Sequence, residues 1–154
     1  MPYIPVAVVS SGTGSGGQTE LDYVQITANV PITATSAGTS DTVITGNPVT
    51  YNGSTRICIE TYASYVEVGT TAGSYIQVGL WDGGTQIGAI ALHGRGASGG
   101  NVWQPHLTHT FLTPTAGSHT YALKAYRSVS NGLFGAGTGV GDDYSPAFLR
   151  ITTA

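Results

Sequence analysis

Thr113-Pro114-Thr115-Ala116-Gly117-Ser118-His119-Thr120-Tyr121-Ala122-Leu123-Lys124-Ala125-Tyr126-Arg127-Ser128 is the stretch that decides the fold. Proline and glycine open it with a turn, and an alternating run follows. His119, Tyr121, Leu123 and Ala125 point one way; Thr120, Ala122, Lys124 and Tyr126 point the other. Side chains of a strand alternate between faces, so the run reads as one long two-faced β-strand over 117–128. Pro146-Ala147-Phe148-Leu149-Arg150-Ile151-Thr152 is a second such run, placed to close the same sheet.

Working outward, strand signals recur at short spacing with turn residues between them. They predict strands near 21–28, 30–35, 41–45, 56–63, 75–82, 85–93, 107–112, 117–128 and 147–152. Pro31 marks an edge or a bulge. Asp82-Gly83-Gly84 between Tyr75–Trp81 and Thr85–Ile90 is the strongest hairpin signal, and Asn52-Gly53 is a second tight turn. No window holds a 3.6-residue apolar period, so helix content is expected to be very low. About eight to nine short strands without helices predict an all-β sandwich, jelly roll or barrel.

The 154 residues suit one domain. Charged residues make up only 8% of the chain, against about 25% in ordinary soluble domains. Much of the surface is therefore expected to face protein rather than water, in an oligomer or a lattice. Net charge is −3, and Arg56, Arg95, Lys124, Arg127 and Arg150 are scattered, so the basic stripe of a nucleic-acid binder is missing. The single cysteine, Cys58, excludes an internal disulfide and reads as a small buried apolar residue.

Residues 1–19 read as an extended arm with a Gly/Ser linker, and 20–154 as the jelly-roll domain. Tyr3, Ile4, Val6 and Val8 belong to an apolar, β-branched piece tethered by Ser10-Ser11-Gly12-Thr13-Gly14-Ser15-Gly16-Gly17. That piece reads either as a first edge strand of the same domain or as an arm docking on a neighbour. It is too short for a membrane helix and lacks the basic flank of a secretory signal, so no membrane partner is expected.

The A-G-S-H-T-Y-x-L of Ala116–Leu123, the Gly-rich loop after it and the P-A-F-L-R-I of Pro146–Ile151 resemble small β-domains of bacteriophage virions. The fold of those domains is akin to tumour necrosis factor and complement globular-head jelly rolls. Glu20–Thr27 and Tyr51–Thr55 fit the same pattern, so the resemblance spans roughly residues 19–154. It implies a jelly roll, a homotrimer packed through apolar and aromatic strand faces, and a non-enzymatic virion protein made in the host cytoplasm. Capsid decoration is the role it favours, with the major capsid protein or other virion proteins as partners and the arm as seat or strap. The rival is a tail or baseplate component that binds a host-surface glycan. Interface candidates are Tyr3, Ile4, Val6, Val8, Tyr62, Tyr121, Tyr126 and Phe134, with Tyr65 and Tyr75 as further interface or core rings. Trp81, Trp103 and Tyr144 are the ligand-facing candidates of the glycan reading, in which they stack on sugar.

Tests for chemistry leave no catalytic, metal or cofactor assignment. Gly94, Gly96 and Gly99 have dinucleotide-loop spacing, but Gly100-Asn101-Val102-Trp103-Gln104-Pro105 opens no helix to hold a pyrophosphate. His106 and His109 should point to opposite faces of a strand and share no metal, which leaves only a site built from different strands or subunits. Asp142-Asp143 reads as a solvated turn before a cation site. No G-x-S-x-G elbow occurs, and Glu60 and Glu67 show no sign of sharing a pocket.

Overall fold

The computed structural model describes residues 17–94, 100–141 and 143–154. Tyr3, Ile4, Val6 and Val8, most of the loop at 95–99, and Asp142 lie outside them. The fold is an all-β sandwich of antiparallel sheets wound as a jelly roll. The first sheet runs β1 (Glu20–Ile26), β12 (Ala147–Thr153), β5 (Ile57–Val68), β11 (Gly132–Gly135) and β2 (Val30–Ile32), with β8 (Val102–Leu112) on the other side of β5. The second runs β3 (Asp41–Thr45), β10 (Tyr121–Arg127), β6 (Tyr75–Asp82) and β7 (Thr85–Gly94). A short ribbon pairs β4 (Val49–Asn52) with β9 (Ala116–His119).

The deciding run forms as two strands. It bends at Thr120, whose N–H donates to Asp82 Oδ1 (3.3 Å) and whose carbonyl accepts from Gly83 N–H (2.9 Å). Before the bend the chain pairs with β4; after it, β10 lies between β3 and β6. Tyr121, Leu123 and Ala125 enter the core as the alternation requires. The Asp82–Thr85 hairpin also forms, with Gly83 at φ +56, a left-handed value that glycine adopts without strain. Pro31 lies on β2, the last strand of its sheet, where no further neighbour needs its missing N–H.

Inward residues of both sheets make one core: Ile57, Ile59, Ala63 and Val66 from β5, Leu149 and Ile151 from β12, Ile76, Val78 and Leu80 from β6. Two strands run longer than the sequence suggested. β5 continues past 63 to Val68, and β8 begins at Val102 rather than 107. The register slips between Ala63 and Val66, so Pro105 falls opposite that irregularity, where no ladder bond is lost. β11 is a strand inside what reads as a Gly-rich loop. A Cβ on Gly132 would meet Ile76 Cδ1 at 2.2 Å, and one on Gly135 the Tyr65 ring at 2.4 Å. The glycines are there because neighbours lie directly on the backbone.

Candidate functional site: an outward aromatic face

With Ile57, Ile59 and Thr61 turned in, alternation on β5 puts Cys58, Glu60 and Tyr62 on the outer side. Pairing then builds three cross-strand rows. Leu107, Tyr62, Phe148 and Gln25 form one, His109, Glu60, Arg150 and Tyr23 the next, and Phe111, Cys58, Thr152 and Glu20 the third. Tyr62 stacks on Phe148 at 5.3 Å between ring centroids, and Tyr23 packs against Phe148 at 5.6 Å. The Arg56 guanidinium lies 5.0 Å over Phe111. Along β8 the outward side chains stay in solvent: Trp103 is 61%, Leu107 56% and Phe111 51% exposed.

This face holds one ion pair, Glu20 with Arg150, and one carboxylate–imidazole contact, Glu60 with His109. Arg150 Nε lies 3.0 Å from Glu20 Oε2, as an ion pair without hydrogen-bond alignment. His109 Nε2 is 3.8 Å from Glu60 Oε1. Such exposed pairs stabilise the fold by about 0–1 kcal/mol. Partial burial and the Glu20 carboxylate push the Tyr23 hydroxyl pKa up, against a smaller pull from Arg150.

Beyond the β5 irregularity a second ring cluster continues the face. Tyr65 lies over Gly135, with Trp103 at 5.7 Å and Tyr144 at 4.6 Å from its ring centroid. Asn101 Nδ2 donates to Glu67 Oε1 beside Trp103. Asp143 pins the neighbouring loop. Its Oδ2 accepts from Thr138 N–H (2.6 Å) and Oγ1–H (2.8 Å), and its Oδ1 from Tyr144 N–H (2.9 Å). The Thr138 backbone bond leads in holding this carboxyl below its usual pKa. Both Asp143 oxygens are thus occupied by the loop itself, and no cluster of three metal-ligating side chains occurs among the described residues.

Several candidate residues belong elsewhere. Tyr121 and Phe134 are core residues, not interface residues: Tyr121 lies between the sheets, and Phe134 packs edge-on against the His106 ring at 5.3 Å. Trp81 is not ligand-facing. It points outward on β6 but lies flat across Gly79 under Lys124 Nζ (5.5 Å), leaving 5% exposed. Tyr126 is half-buried on the outer side of the same sheet, its hydroxyl donating to Gln77 Oε1 (2.7 Å). Tyr62 is on the aromatic face, and Trp103 and Tyr144 meet on Tyr65. The sequence reading missed Tyr23, Leu107, Phe111 and Phe148. Alternation on 107–112 and 147–152 carried that signal, since it turns all three of Leu107, Phe111 and Phe148 opposite to core positions.

Two histidine sites have definite chemistry. His106, inward on β8, offers Nδ1 to His93 Nε2 (3.1 Å), while its Nε2 meets Thr61 Oγ1 (2.9 Å), which meets Thr108 Oγ1 (2.7 Å). Burial dominates here and pushes His106 down to about 3; it lowers His93 as well. Asp82, His119 and Thr115 have the order of a hydrolytic triad. However, His119 Nδ1 faces Asp82 Oδ2 (2.5 Å) and its Nε2 faces the Thr115 carbonyl (3.0 Å) as well as Thr115 Oγ1 (3.2 Å). Nδ1 faces the carboxylate as a donor, and at Nε2 the Thr115 carbonyl competes with the Thr115 hydroxyl for the ring nitrogen. The Asp82 hydrogen bond raises the His119 pKa accordingly. This arrangement pins a turn.

No family model matches the sequence, and no curated protein matches it. Among solved structures the chain is similar to chains of infectious bursal disease virus, Gt strain (TM-score 0.45, 13% identity) and Gx strain (TM-score 0.40, 16% identity). Each similarity covers 99% of this chain, which spans 42% of the length of the viral chain. Neither is close enough to carry a role or a partner across.

Proposed function

We propose that this protein is a non-enzymatic structural component of a bacteriophage virion. Copies pack as a homotrimer through the outer face of β1, β12, β5 and β8, and the trimer decorates the capsid, holding neighbouring subunits together. The observation that carries the reading is the face itself: Tyr23, Tyr62, Leu107, Phe111 and Phe148 surround the Glu20–Arg150 ion pair and the Glu60–His109 contact. Contiguous outward aromatics with neutralised charge are the composition of a protein–protein interface core. Trimer and virion follow from the resemblance of Ala116–Leu123 and Pro146–Ile151. An interface of roughly 1,600 Å² suffices for specific attachment, and three linked contacts multiply it.

Leu107→Asp combined with Phe111→Asp tests the face. The expected result in sedimentation is a trimer for the parent and a folded monomer for the variant, with unfolding stability within about 0.5 kcal/mol, as for surface changes. A variant that remains trimeric overturns the reading. Antibody-gold labelling of virions then separates head from tail.

The meeting of Trp103, Tyr65 and Tyr144 favours a second reading, a tail adhesin whose rings stack on a host-surface glycan. Glycan-array binding that disappears on Trp103→Ala, with label confined to the tail, would select it.

A further inference from the structure

β7 ends one sheet and β8 ends the other, and they lie side by side across the sandwich. At one end they are joined by His93 Nε2 to His106 Nδ1 (3.1 Å) and by Gln104 Nε2 donating to the Gly94 carbonyl (3.1 Å). Toward the other end they part around a groove of about 380 Å³ lined by Leu80, Ile87, Ile90, Thr108 and Phe111. On that side β7 pairs with no strand among the described residues. Edge strands are ordinarily guarded by charge or proline. β7 reads Thr-Gln-Ile-Gly-Ala-Ile-Ala-Leu-His-Gly and carries neither; its register against β6 slips at Ile87 and Ile90, and those two bulges are its only guard among the described residues.

We infer that this edge and groove take the apolar N-terminal segment, Tyr3 to Val9, of the same chain as an added strand. Reach supports the assignment. Thr19 is tied to Thr153 at the start of β1, level with the end of β5 that pairs Ile57 with Leu112. From β1 to β8 is three strand spacings, about 14 Å, and β7 lies about 10 Å further across the sandwich, so the tether must span roughly 17–24 Å. The tether from Ser10 to Gln18, rich in glycine and serine, has a root-mean-square span of about 15–18 Å and a limit near 30 Å.

Residue pattern supports it independently. In a strand, one alternate set turns N–H and C=O toward its neighbour. Pro5 lacks an N–H, so the odd set must face away, leaving Ile4, Val6 and Val8 to bond β7. The same three then share one face, and all three are β-branched apolar side chains that can cover Ile87, Ile90 and Phe111. The inference does not depend on the trimer, and mixing isotopically distinct chains separates docking within one chain from contacts between copies.

The test is hydrogen exchange of the β7 amides in the full chain, in a chain lacking residues 1–17, and in Val6→Asp with Val8→Asp. At least tenfold faster exchange at alternate β7 amides is expected in both variants. A photo-crosslinking amino acid placed at Val6 in a mixture of isotopically light and heavy full chains should give adducts to residues 85–94 of its own chain. That readout stands even if the truncated chain fails to fold. Unchanged β7 exchange in Val6→Asp with Val8→Asp, adducts joining light to heavy chains, or adducts outside the β7–β8 groove would each overturn the inference.

Discussion

The outer faces of the two sheets carry similar residues and treat them oppositely. On β6, Trp81 points to solvent but lies down, because its neighbour two residues back is Gly79 and the ring occupies the space a side chain would fill. Lys124 covers it, and Tyr126 beside it closes its hydroxyl on Gln77. On β8, Trp103, Leu107 and Phe111 have Pro105 and His109 as neighbours two residues away, so no bare backbone is available to lie on. Those side chains stand up, and Leu107 and Phe111 flank the row of His109, Glu60 and Arg150. One face is closed within the chain and the other stands open, the face proposed above as the interface. What separates them is the residue at i±2, not hydrophobicity.

The largest effect should come from separating core aromatics from face aromatics. Phe134→Ala removes a fully buried ring and is expected to cost about 3–5 kcal/mol in chemical unfolding, with trimer assembly of the folded fraction intact. Leu107→Asp with Phe111→Asp should do the reverse. If Phe134→Ala left stability unchanged and abolished assembly, the division between finished core and open face would be broken.

Gly79→Ala should make the finished face resemble the open one. An added Cβ would lie 2.5 Å from a Trp81 ring carbon, and the indole cannot yield in place, so it must rise. Overpacking of this kind costs about 1–3 kcal/mol. In a Trp103→Phe background, where Trp81 is the only fluorophore of its type, emission should shift to the red as the ring meets water. An unshifted spectrum with full stability would mean that Gly79 is not what lays the ring down.

The same neighbour effects explain what could be read in advance. The Asp82-Gly83-Gly84 turn is a local signal and formed as read, and the run read as one strand over 117–128 kept its alternation in Tyr121–Arg127 but broke at Thr120. β11 was hidden because Gly132 and Gly135 look like loop residues until Ile76 and Tyr65 are placed over them. The first half of β8 was hidden by Pro105, which is harmless only because β5 slips opposite it. The bend at Thr120 depends on Asp82, distant in sequence. For the face, alternation says which residues point out, and Tyr62 was legible on that basis. It cannot say which outward rings lie flat, so Trp81 and Trp103 looked equivalent.

Both faces rest on the seam between His93 and His106, which makes the final prediction one of pH. Around the pair stand Thr61, Thr108, Gln104 and Phe134, none of them charged, and burial outweighs the Gln104 hydrogen bond that favours a charged His93. The folded chain holds His106 down near 3, with His93 also lowered, whereas the unfolded chain binds protons at about 6.5. Unfolded molecules therefore carry more protons below that pH. Stability is fully present above about 6.5 and falls as the solution is acidified, by about 1.4 kcal/mol per pH unit for each proton withheld. His119 has the opposite sign. Its pKa is raised by Asp82, so its contribution is full below about 6.5 and is lost as pH climbs through the folded value. Unfolding midpoints measured from pH 4 to 9 should form a dome. His106→Gln, which keeps a hydrogen-bonding side chain beside Thr61, should flatten the acid limb alone, and His119→Gln the alkaline limb alone. An acid limb unchanged in His106→Gln would mean that the fold's sensitivity to acid arises outside the seam.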